Sequence, residues 1–330
     1  MPLLHPDRLF PSEPRTRDLA RALYDTVRDA PIVSPHGHCD PAWFAQDAAF
    51  PDPARLFVTP DHYVLRMLYS QGETPARMGV ARRDGAPVET DPRAIWRRFA
   101  AGYRFFAGTP SRLWLDHAFE TLFGIEQRLS PDNADAIYDR IDAALREPGF
   151  RPRALYDRFN IRALTTTEGA LDPLAHHAAI RASGWHGRIL TAYRPDAAVD
   201  PDAPGFADNV RALGAMTGQD AEGWAGYLAA HRARRADFIA AGCTSTDHGH
   251  PTPRTLDLPQ VEAAALFARC LSGAADAAER EAFRAQMLTE FARMSLDDGL
   301  VMQIHAGSRR NHNAAMFADH GPDAGFDIPG

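Results

Sequence analysis

The residues with the clearest chemical potential are two histidines, His36 and His38, which follow the apolar run Pro31-Ile32-Val33. Such a run predicts a strand, and side chains two positions apart leave a strand on the same face. The two imidazoles are therefore predicted to chelate one divalent ion such as zinc, for which imidazole is a favoured ligand. Two loop histidines with no ion remain the alternative interpretation of this motif by itself.

Four later strand-like runs, at 161–168, 188–196, 242–248 and 300–307, also end in polar residues. These strand-end residues are Glu168, Arg194, Asp247 with His248, and His305. Strands that alternate with helices predict a parallel sheet, and parallel strands bring their carboxyl ends to one edge, where barrel enzymes build active sites. Arg194 suits a substrate carboxylate because guanidinium binds it through two parallel hydrogen bonds. Pairing of Arg194 with Asp196 in a surface turn, and a structural role for His305, are the alternatives.

Stretches with helical spacing separate these runs, at 174–183, 224–241 and 261–271. Asp172-Pro173 predicts a helix start, and Gly184 and Gly242 stand where helices are expected to end. The interval between the first two strands is far longer than one crossover helix requires. We therefore predict one partial (β/α) barrel over 1–330, with a helical insertion at about 40–158.

Composition excludes several kinds of chemistry. The chain has 330 residues, and all 36 of its Lys+Arg residues are arginine. The absence of lysine excludes Schiff-base chemistry and a carbamylated lysine bridging two metals, so a mononuclear site is favoured. Cys39, Cys243 and Cys270 are predicted to be reduced thiols, with Cys39 as an alternative metal ligand.

The composition also limits partners and location. Net charge is −7, with both signs mixed along the chain, which predicts no nucleic-acid partner. The sequence contains no long apolar run, so we predict no membrane span. The amino terminus carries no apolar segment of signal-peptide length, which favours a cytoplasmic location.

Taken together and in this order, the motifs resemble the uronate isomerase (glucuronate isomerase) family, metal-dependent (β/α)8 barrels of the amidohydrolase-like superfamily. Besides the five strand ends, the resemblance rests on Asp61-His62-Tyr63 with Arg66, Leu129-Ser130-Pro131, Thr166-Thr167, Arg310-Asn311-His312-Asn313 and Gly321-Pro322-Asp323-Ala324-Gly325-Phe326-Asp327. It covers essentially the whole chain. Its order and spacing are far more specific than any single motif.

The resemblance implies an aldose–ketose isomerase that interconverts D-glucuronate with D-fructuronate and D-galacturonate with D-tagaturonate. It implies His36 and His38 as ligands of one divalent metal, most simply zinc, with His305 as a ligand or near neighbour. The residues that it implies for substrate binding are Arg194, Asp247, His248, Arg310 and His62. His62 and Tyr63 would be catalytic, the hexuronate would be the small-molecule partner, and a homo-oligomer is compatible with this class.

The sequence also departs from the family pattern. The chain stops after the fifth strand, so three barrel strands, with an aspartate ligand and a further arginine, are expected to be absent. We therefore expect residues 1–330 to be an incomplete barrel without isomerase competence, exposing its edge strands. His248-Gly249-His250 is not the usual continuation. A metal-dependent hydrolase of the same superfamily and an inert or associating fragment remain alternatives.

Overall fold

The computed structural model describes residues 3–322 and 324–329, so Asp323 of the last motif lies outside the described residues. The chain divides into two compact units. The strand unit comprises Ile32–Asp47, Phe159–Ser308 and Pro329–Gly330, and the helical unit comprises Met1–Pro31, Ala48–Arg158 and Arg309–Ile328. The helical unit is thus larger than the predicted insertion, since residues near both ends of the chain join it.

Five parallel strands form the sheet of the strand unit. They are β1 (Ile32–Ser34), β2 (Ile161–Gly169), β3 (Ile189–Arg194), β4 (Ser245–His248) and β5 (Val301–Ile304). Their spatial order is the order of the sequence, and each pairs in parallel with the next. All five predicted strands are confirmed, and so is the parallel α/β class. Two short strands follow, β6 (Ser308–Arg309) and β7 (Ile328–Pro329).

Helices lie between the strands of this unit. They are α2 (Pro41–Gln46), α9 (Ala175–Ala182), α10 (Phe206–Thr217), α11 (Trp224–Ala240), α12 (Gln260–Leu271) and α13 (Ala277–Asp298), with a 3-10 turn at Asp196–Ala198. Their apolar faces form one core with the sheet, in which Tyr193 of β3 packs edge-on against Phe238 and near Phe291. This core fixes which face of each strand points away from the helices.

The sheet is strongly curled, and one side-chain contact shows it. Nδ1 of His36, just beyond β1, lies 2.7 Å from Oε1 of Gln303 in β5. Neighbouring strands are about 4.8 Å apart, so strands one and five of a flat sheet would lie roughly 19 Å apart. The curl therefore brings the carboxyl ends of the two outermost strands of this sheet together.

Local signals for helix boundaries are partly confirmed. Gly184 and Gly242 adopt φ values of +71° and +96° just after their helices, which only glycine tolerates without strain. The predicted start at Asp172-Pro173 is wrong by two residues. Leu174 adopts a left-handed conformation (φ +57°), and the carboxylate of Asp172 accepts the Leu174 N–H, so α9 begins at Ala175.

The helical unit has its own core. Its helices are α1 (Pro14–Asp25), α3 (Pro53–Phe57), α4 (His62–Tyr69), α5 (Pro92–Gly102), α6 (Pro110–Phe123), α7 (Ala134–Leu145), α8 (Pro152–Arg158) and α14 (Ala314–His320), with 3-10 turns at Pro75–Met78, Tyr103–Phe106, Pro131–Asn133 and Pro148–Phe150. Trp96 is fully buried there, and its indole N–H donates to the Ala134 carbonyl. Among the described residues, no helix is long and apolar enough to cross a membrane.

Candidate metal centre and active site

The carboxyl edge of the curled sheet gathers three potential metal ligands, His36, Asp247 and His305. One ligand atom from each lies within 4.8 Å of the others. His305 Nε2 is 2.6 Å from Asp247 Oδ1, and His36 Nδ1 is 3.7 Å from the same oxygen. Asp247 is completely buried, whereas His305 is partly exposed. Strands β1, β4 and β5 therefore converge on one polar site.

His38 joins this site through His36. The Nε2 atoms of His36 and His38 are 3.1 Å apart. Two nitrogens bound to one tetrahedral zinc, each about 2.0–2.1 Å from the ion, are separated by roughly 3.3 Å. Desolvation, followed by the nearby His36, lowers the pKa of His38, which favours the neutral imidazole that binds metal. The predicted pairing of the two rings on one face is confirmed.

The buried carboxylate of Asp247 has lone pairs that could coordinate a metal ion, in addition to its ion pair with Arg194. Within the described part of the chain, neither of its oxygens makes a hydrogen bond of acceptable geometry, although both are shielded from solvent. A buried carboxylate is costly unless paired or coordinated. Two imidazoles with an additional carboxylate form a donor set typical of a divalent metal. The residues present therefore fit one metal ion.

Arg194 reaches the same edge from β3. Its Nη1 lies 3.4 Å from Asp247 Oδ2, and its Nε donates to Asp196 Oδ2 at 2.9 Å. The backbone N–H of Gly249 donates to the same Asp196 carboxylate at 3.2 Å. The alternative pairing of Arg194 with Asp196 is thus present. The same guanidinium also lies beside Asp247, so the pairing with Asp196 does not remove Arg194 from the site.

Two strand-end residues predicted at this edge face the helices instead. The Glu168 carboxylate accepts a hydrogen bond from the Thr191 hydroxyl and lies 3.7 Å from His177 Nε2 of α9. Burial raises the pKa of Glu168 to about 7. His248 is completely buried, with its ring 5.1 Å from that of Phe291. Side chains alternate along a strand, so the structure does not bring His248, a predicted substrate ligand, to the face of Asp247.

His62, Tyr63 and Arg310 belong to the helical unit. Asp61 caps α4, accepting the N–H groups of Tyr63 and Val64, and both His62 and Tyr63 are exposed. Arg310 Nη1 lies 3.0 Å from Asp327 Oδ2, which gives this predicted substrate ligand an ion-pair partner within its own unit. Their proposed roles toward substrate stay predictions.

Arg66 of the same motif contacts the final segment of the chain. Its Nε donates to the Gly325 carbonyl at 2.8 Å, and a further nitrogen donates to the Asp327 carbonyl. An added Cβ at Gly325 would lie 2.7 Å from the His62 carbonyl oxygen. Two of the motifs that carry the resemblance therefore pack directly on each other.

Sequence reasoning missed two residues at the site, Gln303 and Gly249, whereas it had considered Asp196 only as a surface-turn partner of Arg194. Gln303 could have been found because it precedes His305 by two positions and therefore shares its strand face. An added Cβ at Gly249 would lie 2.7 Å from Asp196 Oδ2 and 2.8 Å from Arg194 Nη2. Nothing in the local sequence signals that close approach.

A curled parallel sheet with histidines, a carboxylate and an arginine at its carboxyl edge defines an α/β protein equipped for metal-assisted chemistry. Comparison with known proteins is more specific, since the sequence profile of the family described as glucuronate isomerase matches residues 15–330. The chain therefore belongs to the uronate isomerase family, whose members are aldose–ketose isomerases.

Individual relatives agree with this assignment. The chain is 59% identical to a uronate isomerase of Rhizobium meliloti and 61% identical to one of Rhizorhabdus wittichii, over 99% of its own length and 70% and 69% of theirs. Among solved structures, a glucuronate isomerase from Caulobacter crescentus superimposes with a TM-score of 0.96 at 54% identity, over 99% of this chain and 68% of that one. A uronate isomerase from Thermotoga maritima gives 0.89 at 26% identity, over 99% and 69%.

The chain spans about 70% of the length of the curated relatives that it matches. The matches extend over nearly all of this chain and give no support to the expectation that it is an inactive fragment.

Proposed function

We propose that this chain interconverts D-glucuronate with D-fructuronate and D-galacturonate with D-tagaturonate at the carboxyl edge of a barrel of the metal-dependent hydrolase kind. The observation that carries the proposal is the convergence of Arg194, Asp247 and His305 beside the His36–His38 pair. A sugar acid presents a carboxylate at one end and a carbonyl with its adjacent hydroxyl at the other. An arginine fork beside a metal-ligand set matches both ends.

His36 and His38 would hold one divalent metal, with zinc the simplest choice. When bound, such an ion stabilises the negative charge that develops on substrate oxygens during enolisation. The Asp247 carboxylate lies 2.6 Å from His305, 3.4 Å from Arg194 and 3.7 Å from His36. Its charge would therefore orient all three side chains around the substrate position.

Isomerisation requires a group that moves a proton between C2 and C1 of the open-chain sugar. His305 is suited to this role in the strand unit, because Asp247 lies 2.6 Å from its Nε2 and orients the ring. Because Nε2 faces the Asp247 carboxylate, Nδ1 is the nitrogen that we propose takes the proton. Tyr63 and His62 are additional predicted proton carriers from the helical unit.

Arg194→Lys tests the proposal. A lysine ammonium keeps the charge but cannot reproduce the planar fork, so kcat/KM for glucuronate should fall by at least about tenfold, or 1.4 kcal/mol. The matched control is Arg162→Lys, an exposed arginine near the start of β2, which should retain wild-type kinetics. Isomerisation is assayed beside lactone hydrolysis. Hydrolysis without isomerisation would refute the isomerase assignment, and unchanged kinetics in Arg194→Lys would refute the role of the arginine.

A further inference from the structure

Gln303 bridges the two outermost strands of the sheet through both ends of its amide. Its Oε1 lies 2.7 Å from His36 Nδ1, and its Nε2 donates to the Pro35 carbonyl at 3.0 Å. A carbonyl oxygen can only accept, so the amide nitrogen must face Pro35 and the amide oxygen must face His36. The orientation of the amide is therefore fixed by its backbone partner.

This orientation determines where the proton of His36 resides. The amide oxygen of Gln303 is an acceptor, so Nδ1 of His36 must carry hydrogen. The lone pair of the neutral ring is then on Nε2. That atom is the one that faces His38 Nε2 at 3.1 Å.

We infer that Gln303 is a positioning residue, which holds His36 in the Nδ1–H tautomer and directs its Nε2 lone pair to a metal ion shared with His38. The inference rests on the metal centre proposed above and refines it. His36 could instead offer Nδ1 to an ion shared with Asp247 and His305, since that nitrogen lies 3.7 Å from Asp247. The hydrogen bond that His36 Nδ1–H donates to Gln303 Oε1 favours the ion shared with His38, because an imidazole nitrogen that carries hydrogen cannot also bind metal.

A residue that orients a metal ligand through a hydrogen bond raises the affinity of the site for metal. Removal of such a residue typically weakens metal binding by about 10–100-fold. Gln303→Leu keeps a side chain of similar size and removes both hydrogen bonds. Gln303→Glu keeps an acceptor oxygen toward His36 Nδ1. Thr167→Val is the matched control, because the Thr167 hydroxyl donates to the Gly37 carbonyl in the same segment without touching an imidazole.

The first measurement is zinc affinity of the purified protein, by competition with a chromophoric chelator. Gln303→Leu should bind zinc about 10–100-fold more weakly, whereas Gln303→Glu should match or exceed the wild type. Thr167→Val should stay within about threefold of the wild type, on the same scale. Unchanged affinity in Gln303→Leu, or an equal loss in Gln303→Glu, would overturn the inference and favour Nδ1 as the ligand atom.

The second measurement is the ¹⁵N spectrum of the His36 ring in metal-free wild-type protein, at a pH where the ring is neutral. A protonated Nδ1 and an unprotonated Nε2 support the inference, and the opposite tautomer refutes it. Thr167→Val should leave this spectrum unchanged, whereas Gln303→Leu should shift it toward the other tautomer. A change in general stability would not alter the tautomer of one ring.

The proposed metal centre and the proposed role of Gln303 can be refuted separately. Zinc binding should disappear in His36→Ala, and wild-type affinity in that variant would refute the metal centre itself. Should the wild type take up no zinc, the proposed metal centre fails, while the tautomer in the same metal-free sample still decides the role of Gln303.

Discussion

Each ring nitrogen of His36 faces a different partner, and these two contacts were unequally predictable. The contact with His38 follows from two residues spaced by two positions at a strand end. The contact with Gln303 joins residues far apart in sequence and depends on how strongly five strands curl. Sequence spacing carries information about neighbours on one strand and almost none about neighbours across a curled sheet.

At the same scale, we predict that full activity requires glycine at position 249. A methyl group there would lie 2.7 Å from Asp196 Oδ2, 2.8 Å from Arg194 Nη2 and 3.2 Å from His305 Cε1. Gly249→Ala should therefore displace the Arg194–Asp196 pair and lower kcat/KM by about tenfold or more, if Arg194 acts through its fork geometry. Steady-state kinetics with a melting curve measures both the activity and the fold.

The matched control for this substitution is Gly169→Ala at the end of β2, where an added Cβ would meet nothing within 4 Å. That variant should keep wild-type kinetics. Equal activity in Gly249→Ala and Gly169→Ala would show that the position of the guanidinium has no bearing on the reaction.

At the scale of the strand, the alternation of side chains determines which face of the sheet each polar residue occupies. The positions of all five strands could be predicted from apolar runs and flanking polar residues. Their facing could not, because one run such as Thr165-Thr166-Thr167-Glu168 is polar on both faces. Thr167 donates to Gly37 near the site, whereas Thr166 contacts His177 beneath α9. The observed pairing resolves what alternation alone leaves ambiguous.

Glu168 lies on the face of β2 that packs against the helices, and it makes the stability of the protein depend on pH. Burial raises its pKa to about 7 from an unperturbed 4.5, with the Thr191 and Thr166 hydroxyls opposing the rise and Asp172 and Asp40 adding to it. A raised carboxyl pKa contributes stability that is complete below about pH 4.5 and is lost as pH rises through 7. The loss amounts to about 3 kcal/mol at most.

Glu168→Gln removes this titration while keeping an oxygen that accepts from Thr191. The free energy of unfolding of the wild type should therefore fall more steeply between pH 5 and 8 than that of the variant, by up to about 3 kcal/mol. His177 Nε2 lies 3.7 Å from this carboxylate, so the difference between the two proteins reports Glu168 together with its coupling to His177. Glu262→Gln on the exposed side of α12 controls for the loss of one charge. Parallel curves for wild type and Glu168→Gln in denaturant titrations would contradict the assignment.

At the scale of the whole chain, the described residues form one hydrophobic core in the strand unit and another in the helical unit. A helical segment between the first two strands could be predicted from its length and periodicity. The recruitment of Met1–Pro31 and Arg309–Ile328 to the helical unit could not. Their sequences carry ordinary helix signals, and long-range contacts such as that between Arg66 and Gly325 have no local signature.

The outermost strands of the five-stranded sheet expose apolar side chains. Within the described residues β1 and β5 each pair with one strand of this sheet, and Val33 and Val301 are 60% and 64% exposed. Exposed strand edges with apolar side chains are templates for association. We therefore expect the purified chain to associate as its concentration rises, as measured by light scattering or sedimentation.

Val301→Glu should shift this equilibrium toward the monomer, because a charge on an edge strand opposes pairing with another chain. Val33→Glu should do the same at the other edge of the sheet. Val261→Glu is the control, since Val261 is 81% exposed on helix α12 and lies on no strand. Its association should equal that of the wild type. Association that weakens as much in Val261→Glu as in Val301→Glu would implicate general charge rather than the strand edges, and a wild-type chain that stays monomeric throughout would refute the prediction.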